Sequence, residues 1–331
     1  MTNTGKVEIP IIDIADLVEG ASDRTVERIA AGISEACRGR GFFYVANHGI
    51  QRDVVAGGFA ANRRFHALPL EEKLKSKRNT WHRGYVAVGG NVARSSARFE
   101  SVSRPNQVES INIRHEVPAD HPDYKTKALQ GPNEWPDVPG FRTEVERYVE
   151  AARSLGLRLL EPMSVAVGES RDYLARFFNP PSTNMRMLHY PPGPAVRPEE
   201  LFGVHPHTDY GFLTILAQDQ VGGLQVRRVD GSWIDAPYIP DTFVLNVGDM
   251  LARWTNDEFN STPHRVVAPA VLTDRCSIAF FFDPNIEAHI ACMPRFTSAD
   301  RPAKYEPVRY GDYYSMRLDA NFQRAGSPAT V

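Results

Sequence analysis

Two histidines and an aspartate in one β-rich stretch constrain this chain more than any other feature of its sequence. His207 and Asp209 stand two residues apart in HPHTDYGFLTILAQD, and His264 follows farther along in STPHRVV. Side chains two residues apart on a strand point to the same face of a sheet. His207 and Asp209 can therefore bind one ion together, with His264 supplied by a later strand.

This ligand set predicts one kind of metal centre. Two imidazoles and one carboxylate leave the opposite face of a six-coordinate metal open, as in non-haem Fe(II) oxygenases. An HxD triplet alone is a weak signal, so its context has to support it. His205 would share a face with His207 and competes with it as a ligand. We favour His207 because Pro206 interrupts strand pairing beside His205.

The residues around these ligands predict a fold of two β-sheets. Short runs rich in β-branched and aromatic residues alternate with turn sequences such as GG, DGS and IPD. Strands at this spacing indicate a sandwich or barrel, and double-sheet jelly rolls include metal-binding proteins.

The order of the segments resembles the isopenicillin N synthase-like family of Fe(II)- and 2-oxoglutarate-dependent oxygenases. The resemblance runs from IPIIDIADL and GFFYVANHGI, through MLHYPPGP, HTDYGFLTILAQD, NVGDMLARWTN, STPHRVV and RCSIAFFF, to YGDYYSMRLDANF. It implies a mixed α and β fold: a double-stranded β-helix, or distorted jelly roll, with N-terminal helices packed against it and a C-terminal helix. It also implies Fe(II), 2-oxoglutarate and O₂ as cofactor and co-substrates, with His207, Asp209 and His264 as iron ligands.

The resemblance further assigns a clamp for the 2-oxoglutarate carboxylate. Its basic member matches Arg275, its hydroxyl partner Ser277, and its tyrosine Tyr190. A guanidinium can hold a carboxylate through two parallel hydrogen bonds, and Ser277 on the same strand face could donate a third. The chain departs from many relatives at Leu188, where they carry Asn, so one polar contact near Tyr190 is in doubt.

The implied reaction couples oxidative decarboxylation of 2-oxoglutarate to succinate and CO₂ with hydroxylation, desaturation or cyclisation of a small organic substrate. Two alternatives stay open. An oxidase like isopenicillin N synthase has the same triad and an equivalent Arg–Ser pair but uses no 2-oxoglutarate. A non-catalytic jelly roll could bind metal and ligand without turnover. The sequence does not identify the organic substrate.

Candidate substrate contacts come from two regions. Strand alternation places Phe281 and Asp283 on the same face as the clamp. Phe281 could stack on a substrate or be a residue of the core. The second wall is expected from the loop at 77–110, whose arginines could meet an acidic group or form a solvated face: Arg83, Arg94, Arg98 and Arg104.

The whole chain is expected to form one compact unit. Apolar residues at helical spacing predict helices from Ser22, over 52–67, over 141–167 and over 170–178, and a further helix in YGDYYSMRLDANFQR. We assign residues 1–140 to an N-terminal helix and strand region, 141–182 to scaffold helices, 183–295 to the jelly-roll core, and 296–331 to a C-terminal helix and tail.

Charge and cysteine content narrow the class of partner. A formal net charge of −2 gives no electrostatic preference for nucleic acid or an anionic membrane. No run of 18 apolar residues suggests a membrane span. The three cysteines form neither a disulfide framework nor a zinc motif, which favours a reducing cytoplasm. The expected partner is a small molecule, and the sequence does not indicate an oligomeric state.

Overall fold

The computed structural model describes residues 8–90, 105–193, 201–270 and 273–322, with side chains to residue 320. The helices are α1 Asp23–Gly39, α2 Arg52–His66, α3 Leu70–Lys75, α4 Phe141–Ala166, α5 Asp249–Trp254 and α6 Tyr310–Phe322. The strands are β1 Ile11–Asp13, β2 Phe42–Ala46, β3 Gly84–Val86, β4 Glu109–Arg114, β5 Ser182–Tyr190, β6 Phe202–His207, β7 Leu213–Gln218, β8 Leu224–Arg227, β9 Trp233–Asp235, β10 Thr242–Val247, β11 His264–Val267, β12 Arg275–Asp283, β13 His289–Ile290 and β14 Val308–Arg309.

Two sheets form the central architecture. The large sheet has the order β1-β2-β10-β7-β12-β5-β4-β3, and the small sheet has the order β6-β11-β8-β9. Apart from the parallel pair of β1 and β2, neighbouring strands in both sheets run antiparallel. The predicted distorted jelly roll in a mixed α and β chain is confirmed.

The large sheet buries both of its faces, in two separate clusters. Its outer face packs against α1, α2 and α4 through side chains such as Ile278, Phe280 and Phe282. Its inner face packs against the small sheet, with Phe42 of the large sheet and Val266 of the small sheet in the same cluster. Because β12 alternates, successive residues of that one strand belong to different clusters.

The helices form where capping and apolar spacing predict them. Ser22 precedes α1, and its hydroxyl accepts a hydrogen bond from the backbone N–H of Thr25 at 3.3 Å. The long helix α4 lies close to β12 because Gly156 has no side chain. A Cβ there would stand 2.6 Å from the ring of Phe282.

One predicted helix is wrong. The segment 170–178 contains only a 3₁₀ turn at Ala175–Phe177. The backbone N–H of Leu174 donates to the hydroxyl of Ser164 on α4 at 3.1 Å, so it is bonded outside its own segment. The predicted loop at 77–110 also contains a strand, β3, which pairs with β4.

The predicted C-terminal helix is present as α6. None of the helices in the described ranges has the length and apolar character that crossing a bilayer requires.

Candidate metal centre and its cavity

Neighbouring strands of the small sheet bring the predicted ligands together. His207 ends β6 and His264 begins β11, and the two residues are paired across the antiparallel ladder. Asp209 follows β6 by two residues. Its Oδ1 lies 3.8 Å from Nε2 of His207 and 3.7 Å from Nε2 of His264. Within the described ranges these are the only three His, Cys, Asp or Glu side chains grouped closely enough to hold one metal ion.

Backbone carbonyls orient both imidazoles. Nδ1–H of His207 donates to the carbonyl of His205 at 2.8 Å, and Nδ1–H of His264 donates to the carbonyl of Thr262 at 3.2 Å. These bonds select the tautomer in which Nε2 carries the lone pair. His205, the competing candidate, therefore contributes its backbone oxygen to the site, and its ring lies outside the convergent group.

Asp209 is oriented through its second oxygen. Oδ2 accepts hydrogen bonds from the hydroxyl of Thr214 at 2.5 Å and from the side-chain amide of Asn246 at 2.7 Å. Thr214 lies on β7 and Asn246 on the adjacent strand β10, where the two residues are directly paired. Oδ1 is left facing the imidazoles.

The pKa shifts of His207 and Asp209 favour the protonation states that bind metal. Burial, aided by the neighbouring His264, lowers the pKa of His207, so its imidazole is neutral near pH 7. Burial alone would raise the pKa of Asp209. The two histidines and the hydrogen bonds from Asn246 and Thr214 outweigh it, so the pKa falls and the carboxylate is charged.

This donor set fits Fe(II). Two Nε2 lone pairs and one carboxylate oxygen converge, and none of the described residues places a proton donor between them. Such convergence is favourable when a cation lies at the centre. Two imidazoles and one carboxylate form the facial set that non-haem Fe(II) proteins use.

Arg275 lies in the same cavity as the three ligands and is 1% exposed. Its guanidinium donates to the hydroxyl of Ser277 at 3.2 Å, to Oε1 of Gln218 at 3.4 Å and to the carbonyl of Gly222. No carboxylate in the described part of the chain forms an ion pair with it. A buried cation without a counter-charge is costly, so the arrangement favours an anionic ligand.

Tyr190 lies beside this cation. Its ring centroid is 4.5 Å from the guanidinium carbon of Arg275, and the two residues are paired between β5 and β12. Leu188 also lines the cavity, so the wall is apolar at that point.

The cavity lies between the two sheets and is lined by side chains from both. Phe281 lines it and is only partly buried.

Two of the predicted substrate residues are placed elsewhere. Arg83 is fully buried and donates to Asn133 and to the carbonyls of Leu129 and His115, so it holds loops together. Its burial excludes the proposed contact with a substrate.

Asp283 is also hydrogen-bonded within the protein. Its Oδ1 accepts from the backbone N–H of Phe212 at 2.7 Å, and burial raises its pKa to about 6. It anchors the turn after Asp209 and does not line the cavity. The other predicted arginines of the loop, Arg94, Arg98 and Arg104, lie outside the described residues.

Sequence reasoning missed three polar residues of the site. Thr214 and Asn246 lie within HTDYGFLTILAQD and NVGDMLARWTN, but only the register of β7 and β10 shows that they reach Asp209. Arg186 lines the cavity from β5. Its signal was present, because it lies four residues before Tyr190 and alternation puts both on one face.

A larger groove lies on the outer face of the same strands, lined by residues that include His48, Phe59, His66, Asp241 and Cys276. Cys276 falls between Arg275 and Ser277 and points to the opposite face, as alternation predicts. The groove contains no group of three potential metal ligands among its described residues, so we assign the chemistry to the smaller cavity. His48 is structural: its Nδ1 accepts from the backbone N–H of Ile50 at 3.1 Å.

Comparisons with known proteins point to one family. Residues 9–138 match the N-terminal model described as non-haem dioxygenase in morphine synthesis, and residues 181–284 match the 2OG-Fe(II) oxygenase superfamily model. A 2-oxoglutarate-dependent dioxygenase, caaD, of Aspergillus niger is 34% identical over 95% of this chain and 96% of its own. A homoarginine-6-hydroxylase of Arabidopsis thaliana is 32% identical over 95% of this chain and 97% of its own.

Solved structures agree. A full-length Neurospora crassa protein, solved in complex with α-ketoglutarate (2-oxoglutarate) and thymine, superposes with a TM-score of 0.81 at 32% identity. The alignment covers 96% of this chain and 98% of that chain.

Proposed function

This chain belongs to the 2OG-Fe(II) oxygenase superfamily, and from that premise we propose that His207, Asp209 and His264 hold its Fe(II) while Arg275, Ser277 and Tyr190 hold its 2-oxoglutarate. The protein is a 2-oxoglutarate-dependent dioxygenase. When bound, Fe(II) activates O₂, and decarboxylation of 2-oxoglutarate to succinate and CO₂ is coupled to oxidation of a second, organic substrate.

The observation that carries the assignment is the buried Arg275. Asp209 is the only carboxylate among the described residues that line the cavity, and it faces the two imidazoles. Arg275 is therefore left to bind an incoming carboxylate, and Ser277 and Tyr190 lie close enough to complete the contact. The guanidinium suits this role because its planar fork matches a carboxylate.

The remaining residues of the cavity position the reaction and exclude water. Thr214 and Asn246 hold Asp209 so that only one of its oxygens faces the imidazoles. Apolar side chains from both sheets surround the ligands and limit access by water. Oxidation inside such walls is protected from side reactions.

The organic substrate is a small molecule. The relatives support this: one is named for hydroxylating homoarginine, and another was solved with thymine. We favour hydroxylation over desaturation or cyclisation on the same comparison.

Succinate formation tests the assignment and separates it from an oxidase that uses no 2-oxoglutarate. The Fe(II) enzyme is given 2-oxoglutarate and O₂, and succinate is quantified for the native protein, for Arg275→Leu and for Arg64→Gln. Arg64 is an exposed arginine paired with Glu144 and serves as the matched control. We expect succinate from the native protein and from the control, and a strong loss in Arg275→Leu. Oxygen consumption without succinate would support the oxidase.

A further inference from the structure

A second arginine faces the iron site, and the assigned chemistry leaves it unused. Arg186 lies on β5, directly opposite Ala279 of β12 and four residues along the strand from Tyr190. Its side chain lines the cavity together with those of His207 and Asp209.

The guanidinium of Arg186 is only partly bonded within the described residues. Its Nε donates to the hydroxyl of Ser110 at 3.0 Å. Its terminal nitrogens form no ion pair with any carboxylate in the described part of the chain. Burial lowers the pKa of this guanidinium, which expresses the cost of holding a cation there, and the nearby charge of Asp209 offsets only part of that cost. A ligand anion would offset that cost.

The sum of charges in the cavity also leaves one positive charge unbalanced. Fe(II) carries two positive charges, Asp209 one negative and 2-oxoglutarate two negative, which leaves one negative charge for Arg275 to neutralise. Arg186 then adds one positive charge that no described residue lining the cavity balances. The loaded site is therefore electrostatically complete with a monoanionic substrate.

The residues beside Arg186 offer polar and apolar contacts. Asn184 lies on the same face of β5, is 7% exposed, and its side-chain oxygen has no hydrogen-bond partner within the described ranges. It is paired with Phe281 across the ladder. A buried side-chain oxygen without a partner is uncommon in a folded protein, and this one lies on the same face of β5 as Arg186.

We propose that Arg186 is a specificity-determining residue that binds a carboxylate on the organic substrate, with the Asn184 amide and the Phe281 ring contacting the rest of the molecule. The inference rests on the proposed function, because it concerns the same cavity. It places the substrate carboxylate on the β5 side of the iron and leaves Arg275 to 2-oxoglutarate.

Paired ligands test the charge requirement without knowledge of the natural substrate. The anaerobic enzyme loaded with Fe(II) and 2-oxoglutarate is titrated calorimetrically with phenylacetate, benzoate and hexanoate, and with the primary amide of each. We expect at least one carboxylate to bind about ten- to a hundredfold more tightly than its amide, the range for a charge-assisted hydrogen bond. If no carboxylate exceeds its amide, the proposal is overturned, and this holds whether or not variants fold.

Three variants assign the preference to Arg186. Arg186→Gln should abolish the preference for the carboxylate, Arg186→Lys should keep part of it, and Arg64→Gln should leave it intact. The affinity for 2-oxoglutarate, titrated separately without O₂, should change less than about twofold in all three, well below the effect of a lost charged contact. A preference that persists in Arg186→Gln would overturn the proposal. A large loss of 2-oxoglutarate affinity in that variant would overturn it too, by assigning Arg186 to the co-substrate.

Different results would refute the proposed function and the role of Arg186. If the native Fe(II) protein does not bind 2-oxoglutarate, the proposed function fails and the inference fails with it. If 2-oxoglutarate binds normally and the carboxylate preference is absent, only the role of Arg186 is wrong.

Discussion

Among the described residues, two clusters of histidine and carboxylate lie on opposite sides of the large sheet, and only one of them is suited to bind metal. On the inner side, His207, Asp209 and His264 belong to the small sheet and the turn after β6, and face the large sheet. On the outer face, a second cluster, here called the outer network, is formed by Lys73, Tyr85, Glu109, His189 and Asp274.

The outer network is internally satisfied. Glu109 accepts from Nζ of Lys73 at 2.8 Å, from Nδ1 of His189 at 2.7 Å and from the hydroxyl of Tyr85. Nε2 of His189 meets Asp274 at 2.9 Å. Burial opposes these charges, but the hydrogen bonds prevail: they lower the pKa of Glu109 to about 2 and raise the pKa of His189.

The difference between the clusters is the placement of protons and charge. In the outer network each carboxylate faces a proton donor. On the inner face the ring protons of both imidazoles are bound to backbone carbonyls, so three lone pairs face one another around one negative charge. Residue types alone do not distinguish a metal site from a buried ion pair, whereas the direction of the protons does.

Removing a ligand should give the largest effect. We expect His207→Ala, Asp209→Ala and His264→Ala each to lose iron and abolish turnover while the far-ultraviolet circular dichroism stays native. The reason is that each removes one of three protein ligands and leaves the surrounding strands intact. Full activity with normal iron content in any of the three would refute the ligand assignment.

The same kind of change in the outer network should destabilise the fold and spare the iron site. Glu109→Gln leaves the buried charge of Lys73 without its carboxylate partner, and we expect it to cost about 3–5 kcal/mol of unfolding free energy. Urea unfolding measures the loss, and iron content is the control. A stable variant that cannot bind iron would reverse the roles of the two clusters.

The outer network also predicts a pH dependence. Glu109, with its pKa lowered from 4.5 to about 2, contributes stability above its ordinary pKa that is lost as the pH falls toward 2. His189, with its pKa raised above 6.5, contributes stability in acid that is lost as the pH rises through its folded-state pKa. The stability difference between native protein and Glu109→Gln should therefore be largest between these limits. A difference independent of pH would contradict the ion-pair account.

Sequence spacing predicted the metal ligands and the 2-oxoglutarate clamp, but not the residues that orient Asp209. Spacing of two placed Arg275 with Ser277, because both lie on β12 and alternation on a strand is strict. It also placed His207 with Asp209, although Asp209 lies in the turn beyond the end of β6. Thr214 and Asn246 were not predictable, since their contact with Asp209 depends on which strands become neighbours.

The positions of the arginines were predictable only where they lie on a regular strand. Arg83 lies in a segment with weak periodicity, and its burial follows from carbonyls supplied by distant loops. Arg186 lies on a regular strand, and its cavity-facing direction was readable from Tyr190.

A moderate effect is expected at the clamp. Arg275→Lys keeps the positive charge but loses the planar fork, so the KM for 2-oxoglutarate should rise about ten- to a hundredfold, equivalent to about 1.5–3 kcal/mol. Iron affinity should change little, because the guanidinium does not touch the ligands. Steady-state kinetics in 2-oxoglutarate and a separate iron titration check both statements, and an unchanged KM would favour an oxidase that uses no 2-oxoglutarate.

The smallest effect is expected on β12, where Phe281 and Phe282 lie on opposite faces of the strand. Phe281→Ala removes a ring from the cavity wall, and we expect the affinity for a bound carboxylate to fall about two- to tenfold, the value of an aromatic contact of ~0.5–1.5 kcal/mol. Phe282→Ala, one residue away, removes a fully buried ring stacked on Phe178 and should cost about 3–5 kcal/mol of unfolding free energy.

Calorimetric titration and urea unfolding of both variants check this pair. If Phe281→Ala loses as much stability as Phe282→Ala, then Phe281 is a residue of the core and its role in the cavity is wrong.

An anaerobic titration with Fe(II) and then 2-oxoglutarate tests the contrast between the clusters most directly. It compares the native protein with Asp209→Ala and with His189→Gln, which removes the histidine of the outer network. We predict that the native protein and His189→Gln each bind about one Fe(II) and then about one 2-oxoglutarate, and that Asp209→Ala binds neither tightly. Normal binding of both by Asp209→Ala, or loss of iron from a folded His189→Gln, would contradict the account.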